Sequence, residues 1–240
     1  GRSNYGTADY AKLKSRALRG LTDGFAAATY DSKKLAAARF PSPRLAPLMA
    51  SAAGDLAIPV FWINDNGATA WITCGSPHIS VSSARYPYST LATRWGKGGA
   101  EQQKVVAGFS TVIMHEVVHA IQDRVGWLCK QPSDSFFYSE GMANALAHYL
   151  LSKRDSGALR KYGWARDERL YSKSLYPATK RDAYASGSFF RYLIEATETG
   201  GQSDLVLARD LITKLTVADV SNRALALDAL ERILKPHIGK

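Results

Sequence analysis

Hydrophobic residues recur at helical spacing between residues 100 and 125, a stretch that contains no proline. The positions that follow this spacing are Val105, Val106, Phe109, Val112, Ile113, Val117 and Ile121. Intervals of three, four and seven residues bring side chains to one side of an α-helix. Gly126 follows as a natural stop. The pattern predicts a long helix that is largely buried.

Shorter apolar runs before this helix are typical of strands. Residues 58–63 and 68–74 flank an Asn-Asp-Asn-Gly turn and predict a β-hairpin, and residues 79–82 predict a further strand. Residues 7–40 predict one or two helices that end before a cluster of prolines. Helices are also predicted downstream, at 139–153, 181–198, 203–215 and 223–235. The chain is therefore expected to be α+β, with a small N-terminal sheet lobe followed by a mostly helical lobe.

The chain has 240 residues, of which 46% are hydrophobic, enough to bury a proper core. We expect a single domain over residues 1–240, with helices and sheet in 1–99 and the long helix and helical part in 100–240. No run of about 18 apolar residues occurs, so no membrane span is predicted. We expect a monomer.

A formal net charge of +10 suggests attraction to anionic surfaces such as nucleic acid or cell-wall polymers. The basic residues are scattered over what we interpret as polar helix faces and loops, without an aromatic-interleaved stripe. A solvated basic surface is therefore favoured over a nucleic-acid interface.

Residues 115–119 read His-Glu-Val-Val-His, inside the predicted buried helix. One helical turn, about 6 Å, separates the two histidines, so both imidazoles can reach a single ion. Glu116 lies beside them, where a base can take a proton from a water activated by that ion. The alternative is a core helix with two hydrogen-bonded histidines, but an ionised glutamate in such an apolar run needs compensation, and a divalent cation is the simplest.

Catalytic zinc sites commonly use three protein ligands and keep a fourth position for water. No histidine follows closely behind the motif, which argues against the metzincin pattern. Downstream, residues 139–143 read Ser-Glu-Gly-Met-Ala at the predicted start of a helix. We expect Ser139 to be the N-cap and Glu140 to lie in the first turn, where the helix dipole favours a carboxylate.

This order, the histidine motif and then Ser-Glu-Gly-x-Ala about twenty residues later, resembles the gluzincin metallopeptidases, in particular their collagenase-like branch. The resemblance implies a zincin-like fold, a zinc ion held by His115, His119 and Glu140, and Glu116 as the general base. An ordinary glutamate at a helix start is the alternative for Glu140.

Residues 184–193 read Tyr-Ala-Ser-Gly-Ser-Phe-Phe-Arg-Tyr-Leu, similar to the helix that follows the glutamate helix in these enzymes. By resemblance, the Tyr184 hydroxyl would donate to the developing oxyanion. Tyr192 is a competing choice, and either tyrosine could be a core aromatic. The resemblance also makes residues 77–83 our candidate for the sheet edge that pairs with an extended substrate.

The chain also departs from the family. Asn144 stands where relatives carry an acid that orients a metal-binding histidine. Because an amide can accept a hydrogen bond but carries no charge, we expect that imidazole to be held less firmly. Asp123, one turn beyond His119, is an alternative orienting carboxylate. His148 is predicted to be a packing or supporting residue, since about 12 Å of helix separates it from Glu140.

The implied activity is that of a zinc metalloendopeptidase acting on protein or peptide substrates. One alternative is an exported effector or toxin protease with one specific protein target, which would have the same sequence features. Another is a basic binding module on a degenerate zincin scaffold. Cys74 and Cys129 could form a disulfide, which would suit a secreted or exported protein, or remain two reduced thiols.

Overall fold

The computed structural model describes residues 60–63, 70–72, 79–82, 84, 90, 93–94, 96–124, 136–154, 186–199, 206–218, 220 and 222–238. The strands are β1 (Val60–Ile63), β2 (Ala70–Ile72) and β3 (Ile79–Ser82). The helices are α1 (Gly99–Arg124), α2 (Phe136–Arg154), α3 (Gly187–Thr199), α4 (Val206–Val217) and α5 (Arg223–Ile238). Within these residues the fold is α+β, with a small sheet followed by a helical majority. The predicted helices in 7–40 lie outside the described residues.

The three strands form one mixed sheet in the order β1-β3-β2. Strand β3 runs parallel to β1, with Val60 opposite Ile79, and antiparallel to β2, with Ala70 opposite Val81. The predicted hairpin between 58–63 and 68–74 is therefore wrong, because β3 lies between these two strands. All four residues of β3 are buried, which suits a central strand better than an edge.

The central place of β3 also corrects the expectation for residues 77–83. A strand that pairs with a substrate needs an unpaired edge, whereas Ile79–Ser82 has a neighbour on each side. The edges of the described sheet are β1 and β2. Of these, β2 packs against α1, so β2 is the edge strand nearest the histidine motif.

The prediction of a long buried helix is confirmed by α1, which has 26 residues. Gly98 and Gly99 precede and open it with φ angles of 71° and 46°, a left-handed conformation that glycine adopts without a steric penalty. Every residue from Thr111 to Asp123 is buried. A helix buried all round belongs to the core of the protein, so the histidine motif lies inside the core.

Helix α2 begins at Phe136, three residues earlier than the sequence pattern predicts, and has no acidic residue in its first turn. Ser139 is consequently inside the helix, and the predictions of an N-cap at Ser139 and of Glu140 in the first turn are both wrong. Tyr138 is completely buried. Extending the helix backwards brings this large aromatic side chain into the core, which outweighs the local preference for serine as a cap.

Helix α2 packs against both α1 and α3. Two glycines permit the close approach of α2 and α3: a β-carbon at Gly141 would overlap Ser186 Oγ, and one at Gly187 would come within 3.0 Å of Asn144 Cβ. The buried side chains of this region include Met114, Met142, Leu146, Phe190 and Ile194. Helix α2 therefore occupies the middle of the helical layer, with its Glu140 turn next to α1.

Helices α4 and α5 pack against each other, and α4 also contacts α3. The predictions at 203–215 and 223–235 are confirmed with small shifts at the ends. Asp210 on α4 accepts a hydrogen bond from Lys214 at 2.8 Å and lies 3.2 Å from Nε2 of His237 on α5. This polar contact joins the two C-terminal helices.

Candidate metal centre

Three side chains predicted as ligands converge at the contact between α1 and α2. The Nε2 atoms of His115 and His119 are 2.9 Å apart, and Oε2 of Glu140 lies 3.1 Å from the first and 3.3 Å from the second. The two imidazole rings meet edge to face, with centroids 4.5 Å apart and planes at 85°. Both histidines are buried and Glu140 is nearly so. Three electron-pair donors therefore face one another in a water-poor environment.

The local structure explains this convergence. Residues four apart on a helix stack one turn above the other, which brings His115 and His119 together on α1. Glu140 comes from α2, and the close approach of α3 at Gly141, the next residue, requires the missing side chain there. Gly141 thus lets α3 pack against α2 directly beside the glutamate.

Each imidazole has a carboxamide at its other nitrogen. Nδ1 of His115 lies 2.8 Å from Oδ1 of Asn144, and Nδ1 of His119 lies 2.7 Å from Oε1 of Gln122. An amide oxygen only accepts hydrogen bonds, so each Nδ1 carries a proton, and a ring that is neutral has its lone pair on Nε2. Both Nε2 atoms are thereby prepared for a cation. The orienting partner of His119 is Gln122 and not Asp123, which the sequence offered.

Glu116 lies beside the three-residue group and is buried, with 5% of its surface exposed. It accepts a hydrogen bond from the backbone N–H of Ile72 in β2. Its Oε2 has no hydrogen-bond partner among the described residues. Burial raises the pKa of Glu116, against the opposing effect of the two nearby imidazoles and the Ile72 amide. A proton-accepting oxygen is therefore left available next to the convergent ligand atoms.

The electrostatics of the group are those of a paired acid and base. Burial alone would lower the pKa of His119, but the charge and hydrogen bond of Glu140 outweigh it and raise the pKa to about 9. Burial would raise the pKa of Glu140, but the charge of His119 and the hydrogen bonds of both histidines hold it well below its usual range. A proton between these groups balances the carboxylate, and a cation can take the place of that proton.

His148 is buried on α2 but does not belong to the three-residue group. Burial, together with the positive charge of Arg191 and the electrostatic effect of His115, lowers the pKa of His148 to about 4. A neutral histidine at this depth fits the prediction of a packing or supporting residue.

The remaining predicted site residues are not brought to the group by the described structure. Tyr184 lies outside the described residues, as do Cys74 and Cys129. Tyr192 is 68% exposed on α3, so its ring does not share the buried surroundings of Glu116. Sequence reasoning missed Gln122 and the Ile72 amide. Gln122 lies one helical turn after His119, and this spacing could have indicated their contact. Nothing in the sequence indicated the contact between the Ile72 amide and Glu116.

The donors fit a metal ion. His115, His119 and Glu140 each offer one ligand atom, and these atoms lie within 4.8 Å of one another. Two neutral imidazole nitrogens and a carboxylate oxygen form a donor set that divalent transition metals accept. The unpartnered oxygen of Glu116 beside them is a further sign that the surroundings are arranged for a group with positive charge. These three residues could hold a metal ion.

Comparisons with protein-family models, with curated proteins and with solved structures found no match to the chain. Among the described helices, none combines the length and the apolar character needed to cross a membrane.

Proposed function

We propose that this chain is a zinc-dependent metallopeptidase whose ligands are His115, His119 and Glu140. The observation that carries the proposal is the convergence of donor atoms from two buried histidines and the partly buried Glu140, next to a carboxylate oxygen of Glu116 that has no partner among the described residues. A metal-binding group alone would also suit a structural site. A buried carboxylate beside the group, with a raised pKa, favours a catalytic one.

The proposed metal is zinc, which catalytic sites hold with two histidines and a glutamate. Ligand atoms about 2.0–2.1 Å from a tetrahedral zinc ion lie about 3.3 Å apart, and the three observed separations are 2.9, 3.1 and 3.3 Å. Structural zinc sites use four protein ligands, usually with cysteine, whereas catalytic sites use three and leave one position open. Two histidines and one glutamate correspond to the catalytic type.

A zinc ion held by His115, His119 and Glu140 would supply Lewis acidity, which would acidify water and polarise the carbonyl of the scissile bond. Glu116 takes a proton from the attacking water and later delivers it to the leaving amine. The backbone N–H of Ile72 holds one carboxylate oxygen, which leaves Oε2 for the proton. The Tyr184 hydroxyl is proposed, by resemblance, to donate to the oxyanion.

The proposal extends to a zincin-like fold of the gluzincin type, formed by a single catalytic domain. Its support is the order of the elements: a small sheet, a buried helix with both histidines, and a second helix with the glutamate 21 residues after His119. The substrate would be a protein or peptide. The proposed location, secreted or exported, rests on the sequence alone.

The central experiment compares the wild-type protein with Glu116→Gln. Glu116→Gln should keep the zinc content and lose at least about 100-fold in peptide hydrolysis, the usual contribution of a general base. Glu101→Gln is the matched control, because Glu101 lies near the start of the same helix and pairs with Lys104, away from the three-residue group. Comparable hydrolysis by Glu116→Gln and wild type would remove Glu116 from the role of base.

The substrates for this experiment are unfolded casein and a cell lysate. Casein cleavage indicates a general peptidase, and loss of a single lysate band with intact casein indicates a dedicated effector protease. Stoichiometric zinc with no hydrolysis of either substrate, together with salt-sensitive binding of polyanions, would contradict the peptidase and support a basic binding module.

A further inference from the structure

Gln122 is completely buried (0% exposed) and uses both ends of its carboxamide. Its Nε2 donates to the backbone carbonyl of Ser139 at 3.1 Å, and its Oε1 lies 2.7 Å from Nδ1 of His119. Ser139 directly precedes Glu140. One side chain of α1 therefore contacts a histidine of the metal group and the backbone next to the glutamate of the same group.

The chemistry of its neighbours fixes the orientation of this amide. The carbonyl of Ser139 only accepts hydrogen bonds, so the NH2 of Gln122 must face it. The oxygen of Gln122 then faces His119, and because that oxygen also only accepts, Nδ1 of His119 must carry a proton. When the ring is neutral, its lone pair is on Nε2, the atom next to His115 and Glu140.

The same atoms join two segments that are 17 residues apart in the chain. His119 is placed by α1 and Glu140 by α2, so the distance between these two ligands depends on how the helices pack. The bond from Gln122 to Ser139 holds the two helices together at the level of the ligands. Asn144 makes the reverse connection, since it belongs to α2 and contacts His115 on α1.

We propose that Gln122 is a positioning residue that fixes the ring of His119 and the Glu140 turn of α2 relative to each other, and thereby sets the metal affinity of the site. This inference rests on the proposed metal-binding function. Neither aspartate nor glutamate can perform both tasks, because a carboxylate cannot donate to the Ser139 carbonyl. The hydrogen bond to Ser139 therefore explains why a glutamine, and not a carboxylate such as Asp123, faces His119.

The test uses the full chain with 15N-labelled histidine and the variant Gln122→Met, which keeps the length of the side chain and loses both hydrogen bonds. Zinc affinity, measured by competition with a chelator, should fall 10–100-fold, the usual effect of removing a group that orients a ligand. In the metal-free protein, the hydrogen-bonded Nδ1–H resonance of His119 should be lost. A purely structural glutamine would lower stability and leave the zinc affinity unchanged.

Gln102→Met is the matched control, since Gln102 lies on α1 about 30 Å of helix rise before Gln122. Gln102→Met should leave the zinc affinity and the Nδ1–H resonance of His119 unchanged. Zinc affinity within about twofold of wild type in Gln122→Met, with the Nδ1–H resonance intact, would overturn the proposal.

Gln122→Glu provides a second variant in case Gln122→Met does not fold. Its carboxylate can still accept from His119, so the Nδ1–H resonance should remain, and disappearance of the resonance would count against the assigned orientation. If the wild-type protein binds no zinc, the proposed function fails. The comparison of the Nδ1–H resonance between the metal-free proteins still decides whether Gln122 holds the ring.

Discussion

Gly187 of α3 lies against Asn144 of α2, so closely that a β-carbon at position 187 would be 3.0 Å from Asn144 Cβ and 3.3 Å from the carbonyl oxygen of Gly141. Both atoms are fixed by the backbone of α2 and cannot rotate away. Asn144 is also the residue whose amide oxygen orients His115. The packing of α3 on α2 is thus connected to the metal group through the side chain of Asn144.

Gly187→Ala should therefore destabilise the protein and weaken metal binding together. Overpacking of this kind typically costs about 1–3 kcal/mol, and a displaced Asn144 would no longer hold the His115 ring. Urea unfolding of the metal-free protein measures the first effect and chelator competition the second. Loss of stability with unchanged zinc affinity would show that Asn144 does not transmit the displacement.

Gly108→Ala is the control for this variant. Gly108 lies within α1, and a β-carbon there would have no described atom within 4 Å. Because glycine inside a helix is less favourable than alanine by roughly 0.5–1 kcal/mol, this substitution should stabilise the protein. The two glycine substitutions are therefore expected to change the free energy of unfolding in opposite directions.

Glu140→Gln should abolish the stabilisation that zinc gives to the wild-type protein. A ligand present at 100 times its dissociation constant stabilises the folded state by about 2.7 kcal/mol, which appears as a rise in the thermal midpoint. The substitution removes the only acidic donor of the three-residue group. Scanning calorimetry with and without zinc measures the difference.

Glu195→Gln is the matched control for Glu140→Gln, because Glu195 pairs with Arg191 on the partly exposed side of α3. It should retain the full zinc-dependent shift. An unchanged shift in Glu140→Gln would exclude Glu140 as a ligand and direct attention to another acid or histidine.

The sequence predicted the helices that carry the site because their apolar periodicity is local. Helix α1 was predicted within one residue at each end, since its spacing is unbroken from Val105 to Ile121. Helix α2 was predicted to start too late, because burial of Tyr138 is a tertiary effect that a capping rule does not contain.

The strand order could not be read from the sequence in the same way. The Asn-Asp-Asn-Gly turn at 64–67 favours neighbouring strands, but the sheet places β3 between β1 and β2. The spacing of residues 115–119 indicated two of the three grouped side chains, and family resemblance supplied Glu140. The role of Gln122 could not be predicted from the sequence, because it depends on a backbone carbonyl contributed by another helix.

Asp210→Asn should lower the free energy of unfolding by a pH-dependent amount. Partial burial would raise the pKa of Asp210, but the hydrogen bond and charge of Lys214, the hydrogen bond of His237 and the charge of Arg209 outweigh it and lower the pKa. A carboxyl whose pKa is lower in the folded state stabilises the fold above its unfolded pKa of 3.8. This contribution is lost as the pH falls below that value.

The difference between wild type and Asp210→Asn should therefore be on the order of 1–2 kcal/mol at pH 7, as expected for charge-assisted hydrogen bonds, and should shrink as the pH falls below 3.8. Urea unfolding measures this difference, and a chelator in the solution removes any contribution from metal binding. Asp228→Asn is the control, since Asp228 forms an exposed pair with Arg232 on α5, worth about 0.5 kcal/mol at most. If the two substitutions had equal effects at neutral pH, the contact between Asp210 and His237 would not be what joins α4 to α5.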